Sequence, residues 1–193
     1  AALATSPFWF HSAGGNLCNA SPAADSVSAM IANRAVCNIV GPGGERRVAV
    51  EDFNTGPRTN CLADNEILIS LDFPLPAPRS SDAYLRMIPR TEMDIAVVGA
   101  AVALTLDVSG VCTYARVAIG AVAPAALLVP AAADALMGSK RDDAALRRAA
   151  AAASKAASPI TDKRGTAEYR KKIVGVLVRR AAAIAKARIE AQV

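Results

Sequence analysis

Three prolines in five residues, Pro74-Leu-Pro-Ala-Pro78, set the first limit on how this chain folds. Each proline fixes its own φ and lacks a backbone donor, so neither a helix nor a central strand runs through them. The hydrophobic period also differs on the two sides. A domain boundary is therefore placed there, with one unit over residues 1–75 and another over residues 80–193. Composition restricts the core. The chain is 53% hydrophobic and 20% charged, which excludes a disordered polymer, yet only 4% aromatic. Ala, Val, Leu and Ile must fill the interior.

Before the prolines the pattern is short and punctuated. Pro7-Phe-Trp-Phe10, Gly14-Gly15 and Ser21-Pro22 read as loop. Asp25–Ala35 suits a short helix with Ser26 as its cap and Val27, Met30 and Ile31 on one face. Cys37–Val40 and Arg46–Val50 around Gly41-Pro-Gly-Gly44 predict a hairpin, 51–56 a short turn, and Glu66–Phe73 a further strand. Beyond the prolines, strands are predicted over 83–88, 96–106 and 111–121. The last two form a hairpin around Asp107-Val-Ser-Gly110. After Pro130 the period becomes helical: 131–137, the alanine-rich 142–156, and 166–191 with a stripe of Thr166, Tyr169, Ile173, Val176/Leu177, Ile184 and Ile189. Helices that follow an antiparallel sheet make an α+β fold. Residues 82–193 are expected to fold alone and residues 1–75 to need a partner or further sequence.

Charge is unevenly placed. Residues 1–138 hold 8 Lys+Arg against 12 Asp+Glu, and residues 139–193 hold 14 against 5. A basic tail can meet nucleic acid, an acidic surface or water. Tyr169 is the only aromatic in it, so bases find no stacking platform and nucleic-acid binding is not expected. The apolar uncharged run 117–133 is broken by Pro124 and Pro130, so no transmembrane segment is expected. Cys18, Cys37, Cys61 and Cys112 form no C-x-x-C pair, and a single His supplies no zinc spacing. They read as reduced, mostly buried thiols of a cytoplasmic protein. The chain opens Ala-Ala-Leu without Met, which reads as a fragment or a processed product.

The segment Ser12-Ala-Gly-Gly-Asn-Leu-Cys-Asn-Ala-Ser-Pro-Ala-Ala-Asp25 asks for more than a turn. Paired glycines let backbone amides approach an anion, and Ser12, Asn16 and Asn19 add side-chain donors. Asp25 could accept from a ribose hydroxyl or serve only as a helix cap. An ordinary Gly-Gly turn is the alternative for the whole segment.

This stretch resembles the second flavin-binding motif in the FAD-binding (medium) subunits of molybdenum hydroxylases, the family of carbon monoxide and xanthine dehydrogenases. Three further stretches agree in order: Ala83-Tyr-Leu-Arg-Met-Ile-Pro-Arg-Thr-Glu-Met-Asp-Ile-Ala96, Arg116-Val-Ala-Ile-Gly-Ala-Val-Ala-Pro124 and Arg164-Gly-Thr-Ala-Glu-Tyr-Arg170. The resemblance implies the second half of a vanillyl-alcohol-oxidase-type FAD-binding domain, followed by a three-stranded antiparallel sheet with a three-helix bundle. It implies that Gly14, Gly15 and Asn16 hold the FAD pyrophosphate, with Ser12 and Asn19 beside them and Asp25 near the ribitol or ribose. Leu68 falls on an apolar cofactor-facing position, or in plain core. Arg86 falls near the isoalloxazine, or pairs only with Glu92 or Asp94. The family's residue before the glycines is Ile or Leu where this chain has Ala13, and the first half of the FAD domain, with its own Gly-rich loop, has no counterpart here. His11 has no assigned role.

Two functions follow from the resemblance. One is an electron-transfer flavoprotein subunit, taking electrons from [2Fe-2S] clusters in an iron-sulfur small subunit that serves a molybdenum-binding large subunit with its molybdenum cofactor. The other is a truncated, cofactor-free assembly module that docks onto those partners.

Overall fold

A computed structural model describes residues 12–90, 94–140 and 142–191. The calls on Pro7–Phe10, His11 and Glu92 lie outside them. The chain opens with α1 (Ala13–Cys18) and α2 (Asp25–Ala32). The hairpin β1 (Val36–Gly41) and β2 (Gly44–Ala49) follows, turning through Gly44 at φ +103°. Where a turn is expected, a single helical turn α3 (Val50–Phe53) leads into the small ribbon β3 (Asn54–Gly56) and β4 (Thr59–Asn60). β5 (Ile67–Asp72) then returns beside β1, giving an antiparallel sheet in the order β2-β1-β5.

After the prolines come β6 (Ser80–Met87), β7 (Val98–Leu106) and β8 (Cys112–Gly120), antiparallel throughout. The turn between β7 and β8 is closed by Asp107, whose carboxylate accepts from the Val111 N–H at 2.8 Å, with Gly110 at φ +80°. A two-residue strand, β9 (Leu127–Leu128), pairs with β8, so this sheet has four strands where three are expected. Pro124 and Pro130 leave room for no more than that short piece between them. The helices are α4 (Pro130–Asp134), α5 (Asp143–Ala156) and α6 (Ala167–Glu190). Asp142 caps α5 through the Ala145 N–H at 2.7 Å, and Thr166 caps α6 through the Tyr169 N–H at 3.1 Å.

Strand alternation sorts the four-stranded sheet into two buried faces. Ala83, Val98, Ala100, Val102, Leu104, Val117 and Ile119 meet the helical cover. Ala149 and Ala153 of α5 join Val174, Leu177, Val178, Ala181, Ala185 and Ile189 of α6 in this core. The buried stripe of α6 is therefore rotated from the one read off its larger residues: Ile173 and Ile184 lie at its margin and Tyr169 is largely exposed. Alanine marks the contact because the helices approach closely. A Cβ on Gly175 would stand 3.1 Å from the Ala150 carbonyl oxygen.

The other face, with Ala101 and Ala118, packs under α2 in a second core with Leu17, Val27, Ile31, Ile39 and Phe53. Here too the strands are small where the helix seats. A Cβ on Gly120 would stand 2.6 Å from the Ser28 Oγ. The sheet after the prolines thus relies on a helix before them. Residues 82–193 taken alone would expose that face, so the expectation of their independence gives way to a shared core.

Candidate functional site

The glycine segment is helical rather than an open loop. Ser12 is the N-cap of α1, and its Oγ accepts the Gly15 N–H at 2.9 Å. The Asn16 N–H goes to the Ser12 carbonyl, also at 2.9 Å. Two glycines disfavour a helix by ~1 kcal/mol each, and the serine cap with the burial of Leu17 offsets that cost. The expected nest of inward amides is therefore replaced by the first turn of a short helix.

Beside this turn lies an open cavity of about 480 Å³, lined by Ser12, Gly14, Gly15 and Cys18 of α1 and by Leu68 to Leu71 of β5. Gly14 borders it, and a Cβ there would face Leu68 Cδ2 across the opening at 3.9 Å, an ordinary contact. Leu68 is half-buried, with its side chain between core and cavity. Cys18, read from the sequence only as a structural thiol, is partly buried here and follows Gly14 by one helical turn. Burial pushes its thiol pKa up, and the nearby Cys61 adds to that. Asn19 is the exposed C-cap of α1 and does not line the cavity.

Asn16 turns toward α2, donating from Nδ2 to the Ser26 Oγ at 3.3 Å. Ser26 is thus inside the helix and is not its cap; Ala24 occupies that position without a side-chain bond. Next to Ser26, Asp25 opens the first turn of α2, where a carboxylate suits the helix dipole. Asp25 Oδ2 forms an ion pair with Arg86 Nη1, and its Oδ1 accepts from the Tyr84 hydroxyl at 3.3 Å. Both ion-pair side chains keep about a third of their surface exposed. Arg86 therefore pairs across the proline break; Asp94 instead pairs with Arg90 and Arg164.

Tyr84 is the other residue missed. Asp82, Tyr84 and Arg86 share one face of β6 by alternation, and α2 lies antiparallel along that face. Asn33 at its C-cap donates to Asp82 at 3.2 Å, while Asp25 at its start meets Arg86. Burial first, and the Asp25 charge second, raise the Tyr84 phenol above its ordinary pKa. The candidates thus form two adjoining groups, the Ser12–Gly14–Gly15–Leu68 cavity and the Asp25–Arg86–Tyr84 cluster, joined through Asn16 and Ser26.

A larger cavity, about 530 Å³, lies under the proline segment and holds none of the candidates. Among the described residues no cluster of His, Cys, Asp and Glu could hold a metal ion, and no helix is long and apolar enough to cross a membrane.

Residues 83–185 match the CO dehydrogenase flavoprotein C-terminal domain, and residues 10–76 match the FAD binding domain in molybdopterin dehydrogenase. The chain belongs to this family of flavoprotein subunits. It is 36% identical to the carbon monoxide dehydrogenase medium chain of Afipia carboxidovorans over 91% of its length and 60% of that protein's. It is also 36% identical to the xanthine dehydrogenase FAD-binding subunit of Escherichia coli O157:H7, over 58% of this chain and 38% of that one. Among solved structures, reconstituted CO dehydrogenase from Oligotropha carboxidovorans superposes with a TM-score of 0.88 at 35% identity, over 92% of this chain and 61% of that one. Carbon monoxide dehydrogenase from Hydrogenophaga pseudoflava gives 0.88 at 33% identity, with the same coverage. The chain spans about 60% of the length of the carbon monoxide dehydrogenase medium chains it matches.

Proposed function

We propose that this chain is the flavin-holding part of an electron-transfer subunit in a molybdenum hydroxylase. The observation that carries the reading is the adjacency of the glycine-lined cavity and the Asp25–Arg86–Tyr84 cluster, a polar line leading from a site for a phosphate to a charged site for a ring. The residues fit one end of a dinucleotide. Gly14 keeps open a cradle that a larger side chain would fill, Ser12 stands at its rim with Asn16 in the next position behind Gly15, and Leu68 gives it an apolar wall. Asn16 has two amide hydrogens; one serves Ser26 and the other can reach a phosphate oxygen. Asn19, at the far end of α1, would meet only solvent-facing parts of the cofactor. Asp25 acts as a positioning residue that fixes Arg86, and the guanidinium supplies the charge that favours a reduced, anionic ring.

Bound FAD would supply the carrier between [2Fe-2S] clusters of a small subunit and a final acceptor, with substrate oxidised at a molybdenum cofactor in a large subunit. The 1–75 and 80–193 division then separates cofactor grip from cover, with α2 belonging to both. One observation favours the second reading, a docking module without flavin: the open, apolar edge of β5.

Flavin titration by fluorescence quenching separates the two. The protein joined to the remaining segment of a relative should take up FAD. Gly14→Val and Gly15→Val should abolish uptake by filling the cradle, and Asn16→Ala should weaken it roughly ten- to hundredfold, the worth of a hydrogen bond to a charged group. Equal affinity with Val at both positions would leave the docking module as the function.

A further inference from the structure

We propose that Cys18 and Cys61 form a redox-active thiol pair, which a hydroperoxide joins into a reversible disulfide between the end of α1 and the residue after β4. The inference goes beyond the flavin reading and stands without it.

The chain carries four cysteines, and their surroundings divide them. Cys37 is 0% exposed, and burial pushes its thiol up to about 12. Cys112 is 1% exposed, and its Sγ donates to the Tyr114 carbonyl at 3.2 Å. Thiols so enclosed stay protonated and inert. Cys18 and Cys61 are only partly buried, and both pack against the margin of the second core. Two hydrogen bonds bring their segments side by side. The Arg58 N–H donates to the Ala20 carbonyl at 3.0 Å, and Asn60 Nδ2 donates to the Cys18 carbonyl at 2.9 Å. Cys61 is thus one residue from a side chain that rests on Cys18. The two thiols also feel each other, since Cys61 adds to the rise that burial gives Cys18.

Their roles differ. Arg46 Nη2 stands 4.0 Å from Cys61 Sγ and donates to the Cys61 carbonyl at 2.8 Å, and the guanidinium is held there by its ion pair with Glu66 at 2.7 Å. A cation beside the sulfur favours the thiolate, the form that attacks peroxide. Cys18, kept protonated by burial, suits the second step. In the first, the Cys61 thiolate attacks hydrogen peroxide. An S–O bond forms, the O–O bond breaks, and the sulfur is oxidised to a sulfenic acid. The hydroxide that leaves becomes water with the proton Cys61 gave up. The Cys18 sulfur then attacks the Cys61 sulfur. The S–S bond forms, the S–O bond breaks, and the departing hydroxide takes the Cys18 proton as a second water. Two thiols and one peroxide give one disulfide and two waters. In a reducing compartment such a bond forms only while oxidant is present, which makes the pair a sensor.

Trypsin places the thiols on separate peptides: Cys18 in 1–34, Cys37 in 35–46 and Cys61 in 59–79. The reduced full chain is treated with hydrogen peroxide, digested without reductant and read by mass spectrometry. Peptides 1–34 and 59–79 should appear joined, and dithiothreitol should part them. The oxidised chain should melt above the reduced one, because the bond ties α1 to the segment after β4. In Cys18→Ser, dimedone should trap a sulfenic acid on 59–79. Cys61→Ser should slow oxidation of Cys18 roughly tenfold or more, and Arg46→Gln should slow the reaction of Cys61 roughly fivefold. An Arg46 that only braces the fold would, once removed, bare the thiol and speed that reaction. The proposal is overturned by either peptide joined instead to 35–46, by bonds only between two copies of the chain, or by thiols that peroxide leaves free. Dimedone on 1–34 ahead of 59–79, or an Arg46→Gln protein that reacts as fast as the parent, overturns it as well.

Discussion

Helix α2 is seated so closely on the four-stranded sheet that one methyl group should lift it, and Gly120→Ala is the measure of that. The added Cβ would stand 2.6 Å from Ser28 Oγ, so the contact must open by about 0.8 Å to become ordinary. Ser28 is 1% exposed, which leaves its hydroxyl little room to swing away. Overpacking of this kind costs ~1–3 kcal/mol. Alanine recovers ~0.5–1 kcal/mol because glycine gives up more chain entropy on entering a strand. At the middle of both ranges the net loss is about 1.2 kcal/mol, and at ~2–4 °C per kcal/mol for a chain of this size the midpoint should fall by roughly 2–5 °C. Circular dichroism melting reads it directly. Ser28→Ala identifies the cause: with the Oγ gone, the nearest atom of residue 28 is its Cβ at 3.9 Å, an ordinary contact. The double variant should therefore melt at or above Ser28→Ala alone. A Gly120→Ala protein that melts with the parent, or a double variant as unstable as the single, would refute the reasoning and with it the close seating of the helix that presents Asp25 and Ser26.

Two further substitutions probe ion pairs that brace the fold. The Arg46 guanidinium holds the Glu66 carboxyl down at about 2, with help from the Ala63 N–H, so the pair's contribution is complete above the unfolded value near 4.5 and is lost as pH falls through 2. The gap in urea midpoint between parent and Glu66→Gln should therefore shrink from pH 7 to pH 2, and a constant gap would contradict it. Arg170, 4% exposed, donates to the carbonyls of Val97 at 3.0 Å and Ala121 at 3.2 Å and to Asp162 at 2.6 Å, tying α6 to the ends of β7 and β8. Arg170→Leu should cost about 3 kcal/mol in urea unfolding, at the lower end for a broken buried pair because Asp162 keeps some solvent, and an unchanged midpoint would refute the bracing role.

What could be read from the residues alone was whatever has a local cause. The turns at Gly44 and Gly110 and the bounds of α5 and α6 are short-range matters of φ and period, and they lie close to where the patterns put them. α1 escaped because Gly14 and Gly15 argue against a helix, and only the Ser12 cap and the burial of Leu17 reverse that. The α6 stripe was misjudged by a fraction of a turn because size was taken as the sign of burial, whereas Ala181 and Ala185 are buried by the nearness of a neighbour. The Asp25–Arg86 pair has no local cause. Its members lie on opposite sides of the prolines, each with local partners that would have satisfied it.

One signal for that pairing was nonetheless present. Val97–Leu104 has no polar residue at any position, the mark of a strand buried on both faces rather than on one. A sheet with helices over one face only would have shown polar residues in alternation. Gly99, Ala101 and Ala103 fall on one side of β7, and Ala118 and Gly120 on the same side of β8. Small residues on one face of adjacent strands make a seat for backbone, so the missing cover had to be a helix drawn from before the prolines. Of the segments there, Asp25–Ala32 has both the length and the apolar face. Once it is seated, Asp25 at its start falls beside Arg86 and Asn33 at its end beside Asp82. The charged cluster is thus a consequence of where the alanines lie.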